Sequence, residues 1–169
     1  MAGFAYRKSM GSSEEPTLLY FIVNNSEVIS VGDAVKVDAS GNAILAIAGS
    51  TIAGVVHQVV DKNGIVISPN SSTSDTYTMA ADNETVNQYQ VGVDVSPRSL
   101  YSNDSDGALA ATNLFQFFDL VSESQIDQSS ASDASGSFQL VGLDPDGDAD
   151  VSKGLFRVAE SQLNPYAQQ

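Results

Sequence analysis

Apolar positions in this chain recur with period two or in brief unbroken runs, and turn residues separate them every few positions. From Val31 to Val60 the pattern reads as three short strands. Val35 and Val37 share one face and Lys36 and Asp38 the other, the period of a half-buried strand. Ser40-Gly41-Asn42 makes a turn, Ala43 to Ala48 a second strand, and Gly49-Ser50 leads to a third, β-branched run from Ile52 to Val60. Upstream, Leu18 to Val23 is rich in aromatic and β-branched residues and reads as a buried first strand. Downstream, Asp61-Lys62-Asn63-Gly64 is a hairpin signal, since Asn-Gly suits a type I′ turn, and Ile65 to Ser68 is expected to pair back.

The second half continues in the same style. Thr76 to Ala80 is a further candidate strand, and Ala81 to Val86 reads as a turn or a single helical turn. Between Asn87 and Val95, Tyr89, Val91, Val93 and Val95 alternate with Gln88, Gln90, Gly92 and Asp94. Leu114 to Val121 is the densest aromatic stretch and is expected to be one strand. Phe138 to Leu143 and Gly154 to Val158 read as the last strands, and between them Asp144 to Asp150 forms an acidic turn. No helical period competes, so the expected fold is all-β: a small antiparallel β-barrel or sandwich with an extended N-terminal arm and long polar loops. The arm is residues 1–16, the single β domain 17–160 and the polar tail 161–169. Within the domain, 122–137 is so rich in Ser and Asp that a flexible surface loop is expected.

Gly32-Asp33-Ala34-Val35, followed by a turn, an apolar strand and Ile52-Ala53-Gly54-Val55-Val56, resembles the small β-barrel decoration, or cement, proteins of tailed-bacteriophage capsids. In that group a Gly-Asp-x-Val strand precedes a Gly-Val-Val strand. The likeness spans about thirty residues, and the spacing is shared by many small barrels. It implies a structural, non-enzymatic virion protein on the outer surface of the capsid shell, made in the host cytoplasm. It also implies the major capsid protein as partner and a homo-oligomer, a trimer first among the options.

Composition narrows the alternatives. The 169 residues are 42% hydrophobic, enough for a core, and 17% charged. Seven Lys+Arg against 21 Asp+Glu give a net charge of −14, which disfavours binding to a phosphate backbone. There is no cysteine, so thiolate catalysis, disulfides and Cys-based zinc sites are out. The one early apolar run, Leu18 to Val23, follows Glu14-Glu15-Pro16 rather than a basic segment, so no leader and no membrane span are expected.

Candidate chemistry is sparse. Phe4, Tyr6, Arg7 and Lys8 in the arm are aromatic and cationic types that anchor interfaces, and Phe115, Phe117 and Phe118 form the second expected contact patch. Asp144, Asp146, Asp148 and Asp150 place carboxylates at every second position, as Ca²⁺ requires. An EF-hand would need Gly at Ala149 and Glu at Leu155, so the stretch is equally a plain turn and no cofactor is otherwise expected. His57, the single histidine, sits in an apolar strand without a nucleophile motif and reads as a structural or interface residue. The alternative function is a calcium- or carbohydrate-binding β module of a phage tail or surface protein.

Overall fold

A computed structural model describes residues 3–9, 16–68, 76–144, 146 and 150–159. Its strands are β1 Ala5–Ser9, β2 Leu18–Ile22, β3 Val28–Ser30, β4 Ala34–Val37, β5 Ala43–Leu45, β6 Gly54–Asp61, β7 Thr76–Thr78, β8 Tyr89–Asp94, β9 Ser99–Asp104, β10 Phe117–Ser122, β11 Gln125–Ser132, β12 Phe138–Leu143 and β13 Lys153–Val158. The helical content is one turn, α1 Asn83–Val86, and one 3-10 turn, Ala111–Asn113.

The chain is all-β, built from antiparallel ladders. One sheet has six strands in the order β1-β9-β13-β12-β10-β11, a second has five in the order β2-β8-β6-β4-β5, and β3-β7 is a separate ribbon. Both large sheets curl. A single parallel bridge, Ser105 to Ile126, brings β11 back to the end of β9, and another, Val23 to Ala43, brings the end of β2 to β5. Neither sheet closes into a barrel.

Each curl encloses its own apolar cluster. Tyr101, Phe118, Leu120, Ile126, Phe138, Leu140, Phe156 and Val158 fill the six-stranded sheet, joined by Ala34, Ala46, Ile52 and Val55 from the other sheet. Val23, Val35, Ala43, Val56, Val59, Val91 and Val93 fill the five-stranded sheet, and Ile29 and Met79 from the ribbon side complete it. Strand β6 is therefore buried on both faces, with Val55 serving one cluster and Val56 the other, and it reads as an unbroken apolar run for that reason. A bulge between Val56 and Gln58 shifts its register against β8. Gly54 opens the strand where β8 passes closest: a Cβ there would lie 2.1 Å from the Asp94 carbonyl oxygen.

Several sequence expectations need correction. Leu18 to Val23 is not a fully buried strand; β2 is an edge strand with Leu19 39% and Tyr20 50% exposed. The hairpin after Asp61 forms, but without positive φ at Asn63. Instead, the Asp61 carboxylate accepts the backbone N–H groups of Asn63 and Ile65, and Gly64 takes φ 78°. Residues 122–137 are not a long loop: they complete β10, turn at Glu123-Ser124 and return as β11. Ile126 plugs into the core from that strand, and the Ser130 hydroxyl accepts the Asp119 N–H, so serine chemistry serves the ladder. The arm also belongs to the body, since β1 pairs with β9 from Ala5 opposite Ser102 to Ser9 opposite Ser99. The expected tail, 161–169, lies outside the described residues.

Candidate functional site

The expected contact residues divide by burial. Phe4 is 2% exposed. Its ring stacks on Phe138 at 4.2 Å and meets Tyr101 edge-on. It is a core residue, and the expectation that it reaches a partner fails for want of free surface. Tyr6 is half-buried, edge-on to His57 at 5.6 Å and to Tyr101 at 6.2 Å. His57 thus sits in an aromatic contact between β1 and β6, in keeping with a structural role. Lys8 sits opposite Leu100 in the β1–β9 ladder.

Arg7 is exposed and acts within the chain. Its Nε donates to the Ser102 hydroxyl at 2.9 Å, and its guanidinium pairs with the Asp146 carboxylate at 2.7 Å. Lys153 grips the same carboxylate from β13 at 2.8 Å. These donors, Lys153 first, hold the Asp146 carboxyl below the usual carboxylate range. Asp150 is spent on a turn, accepting the backbone N–H and hydroxyl of Ser152. Of the expected calcium ligands, Asp146 is held in a cation latch and Asp150 caps a turn, and among the described residues no group of three acidic or histidine side chains stands in metal-binding array. Asp148 lies outside the described residues.

The aromatic stretch 114–121 does not run as one strand. Ala111–Asn113 forms a 3-10 turn and β10 begins only at Phe117. Between them Phe115 takes φ 67°, the left-handed region that a bulky side chain rarely enters. That reversal sends neighbours in different directions. Phe118 is fully buried, Phe117 half-buried, Leu114 packs on the core, and Phe115 is 66% exposed.

The strained turn is held on every side. The Phe115 N–H donates to the Leu140 carbonyl at 2.8 Å, and Gln139 Nε2 donates to the Phe115 carbonyl at 2.8 Å. Gln139 is itself fixed by Arg157 Nε, which donates to Gln139 Oε1 at 2.8 Å. On the other flank Gln116 Nε2 donates to Asp133 at 2.8 Å, and the Leu140 N–H to the Gln116 carbonyl at 3.1 Å. The chain therefore presents Phe115, a large exposed aromatic, on a hydrogen-bonded turn that leads into β10 and is bonded to β12.

Two buried carboxyl residues lie outside the expected contact and metal sets. Asp94 is fully buried and accepts the Tyr101 hydroxyl at 2.6 Å; burial, then the Asp94 charge, pushes the Tyr101 phenol well above its ordinary value. Asp33, in the turn between β3 and β4, has its carboxyl pushed up to about 7 by burial, with the nearby Glu123 charge adding to the shift and the Ser30 N–H opposing it. The Asp33 carboxylate caps the turn by accepting the Ser30 N–H at 2.7 Å. Its neighbours Gly32 and Ala34 are bonded to Phe4 and Glu123, residues remote in sequence.

No protein-family model, curated protein or solved structure matches this chain.

Proposed function

We propose that this chain is a structural virion protein that binds the outer surface of a capsid shell and stabilises it. The resemblance of Gly32–Val35 and Ile52–Val56 to phage decoration proteins suggests the role. The observation that supports it in the folded chain is Phe115. A protein that holds a large aromatic two-thirds exposed on strained, multiply braced backbone gains nothing in stability from that arrangement. An aromatic anchor entering a pocket on a partner is a common use of such a residue.

The mechanism is binding rather than chemistry. Each copy buries Phe115 and its surroundings against the assembled lattice, so it favours the intact shell over dissociated subunits by mass action. Many copies on one shell add their effects. The net charge of −14 keeps the outward surface soluble at high local density. Shells carrying the protein are expected to release their contents at a higher temperature than bare shells, read by dye access to packaged DNA. Identical release temperatures with and without saturating protein would contradict this reading.

A further inference from the structure

Among the described residues two backbone bonds that join the large sheets flank one buried carboxyl. The Phe4 N–H donates to the Gly32 carbonyl at 2.7 Å, tying the start of β1 to the β3–β4 turn. The Ala34 N–H donates to the Glu123 carbonyl at 2.7 Å, tying β4 to the β10–β11 turn. Asp33 lies between these two bonds and is 7% exposed.

Among the described residues, few charged groups surround Asp33. Gly3 and Phe4, from the N-terminal side, bring none. The β10–β11 turn brings Glu123, whose charge acts on Asp33. Strand β6 is bonded to the same turn through Gly32 N–H to the Val56 carbonyl and Val56 N–H to the Asp33 carbonyl, and it carries His57, whose ring lies against Tyr6. The Asp33 carboxylate has a single described donor, the Ser30 N–H. A buried site with one donor and a second carboxylate beside it accommodates one negative charge poorly and two worse.

We propose that Asp33 is a proton-held clasp between the two sheets, closed while its buried carboxyl keeps its proton and loosened when that carboxyl ionises between the Phe4–Gly32 and Ala34–Glu123 bonds. The sign follows from the environment. The folded state holds the Asp33 proton up to about pH 7, whereas an exposed carboxyl releases it near the ordinary 3.8. Raising the pH through neutrality therefore places unshared charge at the joint, and the Phe4–Gly32 and Ala34–Glu123 bonds are the first to feel it. The site is separate from Phe115, so the clasp stands whether or not the chain decorates a shell.

The test is carboxyl ¹³C titration of the full chain together with amide hydrogen exchange, corrected for the intrinsic pH dependence of exchange. Asp33 is expected to titrate near neutrality. Protection of the Phe4 and Ala34 amides is expected to fall by about tenfold or more between about pH 5.5 and about pH 8.5, while amides of the β6–β8 ladder hold theirs. Asp33→Asn should abolish that loss. Glu123→Gln should move the Asp33 midpoint downward, and it decides the matter if Asp33→Asn does not fold. An Asp33 midpoint at the ordinary carboxylate value would overturn the proposal. So would protection at the two amides that ignores pH, or a loss that survives Asp33→Asn and disappears in His57→Gln.

Discussion

Phe115 sets its exposure against its own backbone. Its left-handed φ costs about 1 kcal/mol or more for a residue with a Cβ, and its exposed ring returns little of that by burial. Phe115→Gly is therefore expected to raise the melting temperature by about 2–4 °C while weakening shell binding. A lowered melting temperature with unchanged binding would mean that the ring serves the fold. Gly54 is the opposite case, since a methyl group there would meet the Asp94 carbonyl oxygen at 2.1 Å. Gly54→Ala is expected to cost about 3 kcal/mol or more in urea unfolding, because β6 and β8 must part; a cost under about 1 kcal/mol would show that the strands can shift apart cheaply. Neither residue could be judged from hydropathy. The pattern marks apolar runs, but the reversal at Phe115 and the close approach at Gly54 depend on φ and on strands far away in sequence.

The elements were legible where alternation was regular. Strands β4, β8, β12 and β13 follow the apolar pattern closely, and the hairpin after Asp61 forms where Asn-Gly marks it. The elements missed were those stabilised from a distance. Strand β1 shows no useful period; its reason is Phe4 in the core and a partner strand some 95 residues on. Strand β11 looks like serine-rich loop because only Ile126 and Ala131 pack on the core among its described residues while serine and aspartate side chains satisfy its turns. The arm's true role yields a contrast between neighbours. Phe4→Ala is expected to destabilise the chain by about 3–5 kcal/mol through the cavity it leaves between Phe138 and Tyr101. Arg7→Ala removes an exposed ion pair and is expected to leave the unfolding midpoint nearly unchanged. Equal effects from the two substitutions would contradict the placement of β1 as an integral strand.

For the molecule as a whole, charge governs the response to conditions. Asp33 has a raised folded-state pKa, so its contribution to stability is complete below about 3.8 and is lost as pH rises towards about 7, at no more than about 1.4 kcal/mol per pH unit. Asp61 and Asp146 are held low by the Ile65 N–H and by Lys153, so their contributions are present above the ordinary carboxylate value and lost on acidification. Together these place the stability maximum at mildly acid pH, with a decline towards neutrality that Asp33→Asn removes. Urea titrations across that range check this, and a maximum above neutrality would contradict it. Added salt should raise stability at neutral pH by screening the −14 self-repulsion.

The proposed decoration role requires a specific, saturable contact centred on Phe115. Co-sedimentation of the intact chain with purified capsid shells examines that contact without intermediaries. The wild type is expected to pellet at a fixed ratio to shell subunits, with Phe115→Ala folded but left in the supernatant. A wild-type chain that stays in solution at every concentration, or a Phe115→Ala variant that pellets as well as the wild type, would contradict it.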